Sequence, residues 1–438
     1  MFFYDERKCD MKVINMKNTE IIFLCCLSVL LLGCRQPEYK YVDFSVTEGS
    51  FVPFRIQESV LMEADGSLNN DIQLPESIYE TSFDEQSAGS SNGRRRIAST
   101  TLTDMVGSLL GSINSNKVLQ IAGTYKGRDL DGSELIQSGK VILPKSGPIK
   151  NVILVSHYTI CANHETPSET FPLEGIMAGK GYAVVMADYI GYGVTAKRIH
   201  PYLHAESTGK SVVDMLEAVI PYLEKINRKP ESEEIILFGY SQGGATTLEV
   251  MKLLEKDYSK KYKIKQVYAG AGPYDMAATY DLAMEIDYTG IPCAIPMIVQ
   301  GISEGERLNL DMKDFFQPVL LAHYNEWINS KQYTVREINE RINCHSLKEI
   351  MTDTGRDKQN KSTAQLYKSL MRNSVLDFRP QAPIFMFHSR QDDTVPFVNS
   401  EKAESAFKGC NVRYDFGDYG IHAMGFVRFL STVQKDLD

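Results

Sequence analysis

The chain has 438 residues, 43% of them hydrophobic, and a formal charge of −9, a globular rather than disordered composition. With no sustained basic stripe, that charge argues against nucleic acid as a partner. Its eight cysteines contain no CxxC pair, too sparse a set for a disulfide-framed fold and too scattered for a zinc site.

At the N-terminus, Lys17 precedes an apolar run over residues 21–32 that ends in Leu31-Leu32-Gly33-Cys34. A bilayer span needs about 20 apolar residues, so this shorter run fits the core of a signal peptide. The ending resembles a bacterial lipobox, which implies cleavage before Cys34 and a lipid on that cysteine. Residues 1–33 then read as an upstream extension plus lipoprotein signal peptide, with Met11 and Met16 as alternative starts. Cys9, Cys25 and Cys26 fall in the part removed, leaving Cys161, Cys293, Cys344 and Cys410 besides Cys34. The location this implies is the bacterial cell envelope, with the membrane reached through the lipid on Cys34.

Residues 34–116 read as a tether and N-terminal elaboration, including a small, polar and then basic loop at 87–96. Leu102, Met105, Val106, Leu109, Leu110 and Ile113 recur at three- and four-residue steps, with Ser99 as a cap, which predicts one amphipathic helix. Residues 118–125 and 139–143 flank the turn-rich stretch 127–132 and predict an antiparallel pair.

The pattern then changes to short apolar runs alternating with helical stretches. Residues 151–156 (NVILVS), 182–187 (YAVVMA), 234–238 (EIILF), 266–269 and 383–387 (PIFMF) have the character of strands buried on both faces. Such runs predict an α/β fold with a mostly parallel central sheet flanked by helices. Between 276 and 382 the alternation stops, and Pro-broken apolar patches and charged helical stretches predict a helical cap inserted over the carboxyl edge of the sheet. The core is thus expected in two parts, 117–275 and 383–438.

Gly239-Tyr240-Ser241-Gln242-Gly243 follows one predicted strand and precedes a helix-like stretch at 245–255. This resembles the nucleophile elbow of the α/β-hydrolases, whose glycines relieve crowding on a strained strand-to-helix turn. Ser241 is the candidate nucleophile, and the backbone N–H of Gln242, at the start of the helix, a candidate oxyanion donor. Gly301-Ile302-Ser303-Glu304-Gly305 matches the same pattern. It follows a Pro-interrupted run and puts a carboxylate where an oxyanion would form, so Ser241 is preferred over Ser303.

A serine hydroxyl needs a base, and the base needs an orienting acid. In α/β-hydrolases these follow the serine in the order acid, then histidine. His388-Ser389-Arg390-Gln391-Asp392-Asp393-Thr394-Val395-Pro396 resembles the superfamily stretch whose acid lies four residues after a histidine and four before a proline, which selects Asp392 over Asp393. His422, after a final predicted strand within 412–419, is the only histidine downstream of Asp392 and hence the candidate base. The second oxyanion donor is expected after the strand at 151–156, in Ser156-His157-Tyr158-Thr159, where many relatives have His-Gly. Tyr158 stands in place of that glycine, so Thr159 is the candidate, Tyr158 the second choice, and His157 a packing residue.

Two other constellations carry less. His200 and His204 have the four-residue spacing of metal ligands on a helix, but Pro201 lies between them and no acidic or cysteine partner completes a set, so no metal is expected. Asp188 follows a strand yet precedes Ser241, the wrong order for the acid, and is read as a loop brace.

Several stretches together resemble the secretory-lipase-like branch of the α/β-hydrolases: Gly181-Tyr182-Ala183-Val184-Val185 leading to Asp188-Tyr189, His200-Pro201-Tyr202-Leu203, the Ser241 elbow with Gly244, and Ala271-Gly272-Pro273-Tyr274-Asp275. The likeness covers roughly 117–275 and 380–438 and fades in the cap. It implies a serine esterase or lipase that cleaves carboxylic esters, small or polymer-linked, through an acyl-enzyme with no cofactor. The alternatives are a serine peptidase of prolyl-oligopeptidase type, which usually carries an N-terminal propeller for which the region before Val118 is too short, and a non-catalytic envelope binding protein, for which a broken triad is expected.

Overall fold

Residues that alternate between two apolar environments build the centre of this protein. In the computed structural model, which describes residues 51–63, 67–69, 71–75, 113 and 115–438, strand β4 (Val152–Ser156) is buried along its whole length. Its Val152 and Leu154 enter one apolar cluster, and its Ile153 and Val155 enter another on the opposite face. Strand β5 (Ala183–Ala187) divides in the same way, with Val185 on one side and Val184 and Met186 on the other. A two-residue side-chain period with both faces covered produces the continuous apolar runs seen in the sequence. The signal segment, Cys34, the tether, the loop at 87–96 and nearly all of the expected helix around 102–113 lie outside the described residues.

Among the described residues the sheet has nine strands in the order β1-β2-β3-β5-β4-β6-β7-β8-β9. The remaining strands are β1 (Val52–Val60), β2 (Lys117–Arg128), β3 (Glu134–Pro144), β6 (Glu234–Tyr240), β7 (Lys263–Gly270), β8 (Ile384–Ser389) and β9 (Val412–Gly417). The pairs β1/β2, β2/β3 and β3/β5 are antiparallel. From β5 to β9 every pair is parallel. This is an α/β-hydrolase fold with a mixed sheet. The edge strand β1 falls within the stretch 34–116 that the sequence marks only as a tether and N-terminal elaboration. Its residues are nearly all half-buried, and its register slips between Pro53 and Arg55, so it lacks a clean two-residue pattern and carries a proline at a bulge, as an edge strand tolerates.

Helices α1 (Ala205–Lys225) and α2 (Gln242–Asp257) cover one face, placing Val212, Met215, Leu216, Leu248 and Met251 in its cluster. The short 3-10 helix Leu173–Lys180 and the last helix, His422–Asp436, cover the other with Leu173, Ile176, Phe426, Phe429 and Leu430. Because β4 lies between β5 and β6, the chain reverses direction across the sheet there. The crevice at the carboxyl ends of these strands is where such sheets place ligands.

The helical insertion falls between β7 and β8. It comprises α3 (Met276–Ile286), α4 (Ala294–Gly305), α5 (Pro318–Tyr324), α6 (Val335–Ile342) and α7 (Lys361–Arg372), with short turns between them. Helix starts are set by local side chains: Asp275 accepts from Ala278 N–H at 2.9 Å, Thr334 and Glu337 form a capping box, and Asn360 accepts from Ser362 N–H. The Pro-broken run becomes α4, with Pro296 in its first turn, where a missing N–H costs little. The insertion has its own apolar cluster, which includes Cys293, Met297, Phe315 and Trp327, and it meets the core through Cys161, Tyr202 and Leu203. After it come α8 (Val398–Ala406) and α9 (His422–Asp436).

Candidate active site

Strand β6 ends at Tyr240 and α2 begins at Gln242, so the turn between them is a single residue, Ser241, at φ 58° and ψ −128°. A non-glycine residue at positive φ stores strain of about 1–3 kcal/mol that its surroundings must hold. The two flanking glycines make room for it. A Cβ on Gly239 would lie 2.1 Å from Gly243 O, and one on Gly243 would lie 2.0 Å from Ser156 O. Ser241 N–H donates to Gly270 O at 3.0 Å, and Ser241 O accepts from Gly244 N–H at 2.8 Å, which locks the turn between β7 and α2.

His422 is the first residue of α9, and its Nδ1 lies 2.6 Å from Asp392 Oδ2. Both side chains are buried. The other Asp392 oxygen accepts from Thr394 and Val395 N–H at 2.9 and 2.7 Å, which fixes the carboxylate plane. His388 Nε2 approaches Asp392 Oδ2 at 3.2 Å, a contact the sequence disclosed only as a register mark. Burial pushes the Asp392 carboxyl up, but the electrostatic attraction and hydrogen bonds offered by His422 and His388 outweigh it and hold the group well below the usual carboxylate range. The neighbouring Asp393 is turned elsewhere: its Oδ1 accepts the backbone N–H of His422 at 3.1 Å. Tyr240 OH donates to His422 O at 2.7 Å, anchoring the helix start to the strand that carries Ser241.

Ser241 and His422 line one slot of about 50 Å3, with Tyr158, Thr159, Val335 and Phe426. On its other side Ser241 opens into a cavity of about 430 Å3, walled by Leu282, Ile291, Ile298, Leu366 and Leu370 of the insertion and reaching Asp392. Thr159 lines both spaces. Among the described residues, neither the Thr159 nor the Gln242 backbone N–H donates to a protein acceptor.

The other residues singled out in the sequence have structural partners. His157 stacks on Tyr189 with ring centroids 3.9 Å apart, and burial pushes it down to about 4. His200 Nδ1 faces Ile190 O at 2.7 Å, whereas His204 Nδ1 faces Ser207 Oγ at 2.9 Å, so the pair does not converge on one point. Among the described residues no group of three or more His, Cys, Asp or Glu could hold a metal ion. Asp188 is buried and accepts from Ser138 Oγ at 2.6 Å and Ser168 N–H at 2.9 Å, joining the loop after β5 to β3. Ser303 lies in the last turn of α4 and donates to Leu308 O at 2.9 Å. Cys161, Cys293, Cys344 and Cys410 are free thiols.

A family model described as secretory lipase matches residues 163–421, a span that contains Ser241 and Asp392. A secreted triacylglycerol lipase of Malassezia furfur is 23% identical over 262 residues, 59% of this chain and 50% of that protein, so the chain spans about half the length of that relative. Among solved structures, the rice cell wall degrading esterase of Xanthomonas oryzae aligns with a TM-score of 0.65 at 23% identity, covering 76% of this chain and 92% of its own. Lipase A of Candida antarctica aligns with a TM-score of 0.50 at 17% identity, covering 72% and 74%. At these identities the likeness is one of fold.

Proposed function

The chain belongs to the secretory lipase family, and from that premise we propose that it hydrolyses carboxylic esters through an acyl-enzyme built on Ser241, His422 and Asp392. The observation that carries this reading is the buried Asp392–His422 bond of 2.6 Å placed beside Ser241 on its strained turn. Asp392 accepts a hydrogen bond from the Nδ1–H of His422, which leaves Nε2 as the lone pair available to the serine hydroxyl. Ser241 Oγ attacks the ester carbonyl as His422 takes its proton. The developing oxyanion is received by the N–H groups of Gln242 and Thr159. His422 then returns the proton to the departing alcohol, and water attacking the acyl-serine by the same route releases the acid. This sequence calls for no cofactor.

The apolar cavity of about 430 Å3 suits an acyl chain, and the smaller slot on the His422 side suits a compact alcohol. A 4-nitrophenyl ester series from acetate to palmitate tests the chemistry. Turnover should fall by about 10^5–10^6-fold in both Ser241→Ala and His422→Ala. Wild-type protein that cleaves no ester and leaves Ser241 unlabelled by a fluorophosphonate would sink the reading. Esters carried on plant polysaccharides are the polymer substrates to try, since the Xanthomonas oryzae esterase of similar fold degrades rice cell wall. Failure to release acetate or hydroxycinnamate from such polymers removes that class.

The location that goes with this reading is the bacterial cell envelope, through lipid on Cys34. Among the described residues no helix is long and apolar enough to cross a membrane. Replacing Cys34 with Ala should release the protein from the detergent-extracted membrane fraction, and unchanged fractionation would count against the anchor.

A further inference from the structure

Four buried rings stand between the elbow and the inserted helices, and the chemistry above does not use them: Tyr189, Tyr192, His200 and Tyr202. The His200 ring lies 6.1 Å from Tyr189 and nearly parallel to it, 4.8 Å from Tyr192 and 5.9 Å from Tyr202. Tyr189 in turn stacks on His157. Together they form one aromatic block, and it holds His157, Thr159 and Ile160 of the loop after β4. Tyr189 OH donates to His157 O at 3.3 Å, and His157 Nδ1 lies 2.6 Å from Tyr158 O. Tyr202 OH and Thr159 Oγ1 share a hydrogen bond of 2.7 Å, and Tyr192 OH donates to Ile160 O at 2.5 Å.

The same block reaches the elbow. His200 Nε2 lies 3.2 Å from Gln242 Nε2. Because His200 Nδ1 faces a carbonyl oxygen, which can only accept, Nδ1 carries the proton and Nε2 accepts from the Gln242 amide. Burial pushes His200 down to about 3, so the ring stays neutral in this tautomer throughout the neutral range. His200 and Tyr202 are two residues apart with Pro201 between them, whose fixed φ stiffens the spacing.

We propose that His200 and Tyr202 are positioning residues for the oxyanion site: one short segment grips the side chains of Gln242 and Thr159, the two residues that offer backbone N–H groups, and so sets the separation of those donors across β4 and β6. The loop from His157 to Ile160 contains no glycine and takes its shape from this external grip. Donor placement matters in the transition state more than in substrate binding, because the donors aim at the oxyanion and not at the ground-state carbonyl. The clamp rests on the proposed ester hydrolysis.

The test compares the full chain with Tyr202→Phe, Thr159→Val, His200→Phe and the Tyr202→Phe/Thr159→Val double variant, using 4-nitrophenyl butyrate and an alkyl boronic acid as a tetrahedral mimic. Each single change should lower kcat by about 10- to 100-fold and weaken boronate inhibition by a similar factor, with KM held within about twofold. The double variant should fall no further than its weaker parent, because Tyr202 OH and Thr159 Oγ1 act as one bond. Melting temperatures show which variants are folded, and Thr159→Val alone still decides the matter if Tyr202→Phe does not fold. Folded variants whose kcat and boronate affinity match wild type, or whose losses multiply in the double variant, overturn the clamp. If the wild type turns over the ester and Ser241 takes a fluorophosphonate while these variants behave normally, only the clamp fails. If the wild type does neither, the reading beneath it fails as well.

Discussion

The loops at the carboxyl edge of the sheet and the helical insertion above them contribute to one cavity by different physics. The core side is directional. Asp392 accepts two backbone N–H groups and a histidine, and Ser241 is held in one strained conformation by its backbone partners. The insertion side is almost wholly apolar where it faces the cavity, with Leu282, Ile291, Ile298 and Leu366 offering area and no direction. Hydrogen bonds specify atoms, whereas apolar contact specifies little beyond size. On the proposed ester hydrolysis, the division assigns reaction chemistry to the core and discrimination among substrates to the insertion.

The largest test of that division lies in the two neighbouring aspartates. Asp392→Asn should cost about 10^3–10^4-fold in kcat at every acyl length alike, because the amide no longer holds the Nδ1–H tautomer of His422. Asp393→Asn should cost no more than about tenfold, since an amide oxygen still accepts the His422 N–H. A larger loss in the second variant would move the acid to Asp393.

Glu174 tests whether the core also carries strain unrelated to the chemistry. It is buried with one carboxyl oxygen unpartnered, and desolvation pushes it up to about 7. The unfolded chain ionises this group first as pH rises, so its effect is a loss of stability between the ordinary glutamate range and pH 7, levelling off above. The size is roughly 3 kcal/mol. Urea unfolding at pH 5 and pH 8 should show Glu174→Gln losing that part of the pH dependence, with kcat little changed. An unaltered difference between the two pH values would mean the carboxyl is solvated.

On the insertion side, Ile298→Phe narrows the large cavity. The ratio of kcat/KM for decanoate over acetate should fall about tenfold, as a change of a few methylenes in an apolar pocket allows. A uniform fall across all chain lengths would instead tie the insertion to the chemistry. The smallest effect is expected at Ser303→Ala, which removes one hydrogen bond to Leu308 O. Turnover should stay within about twofold and stability within about 1 kcal/mol.

The same division governs what could be read from the amino-acid order. Strands buried on both faces gave apolar runs that located β4 to β8 to within a few residues, and the glycines around Ser241 marked a turn that only small residues permit. The geometry brings together Asp392 and His422, which the chain order had singled out. The contacts of His200 with Gln242, of Tyr202 with Thr159 and of Asp393 with the backbone of His422 left no trace, because each joins side chain to loop across distant segments and has no period. Strand β1 escaped for a related reason: half-buried on both faces and interrupted at Pro53, it shows neither alternation nor a continuous run.

Ser241 is made before the whole insertion, whereas His422 opens the last helix and meets an acid 30 residues upstream of it. In a growing chain the proposed nucleophile is therefore present well before its proposed base. Under the proposed mechanism, hydrolytic capacity arrives only once α9, tied to β6 through Tyr240, brings His422 to the serine. Under that mechanism the order of synthesis would keep the serine idle until the rest of the protein surrounds it.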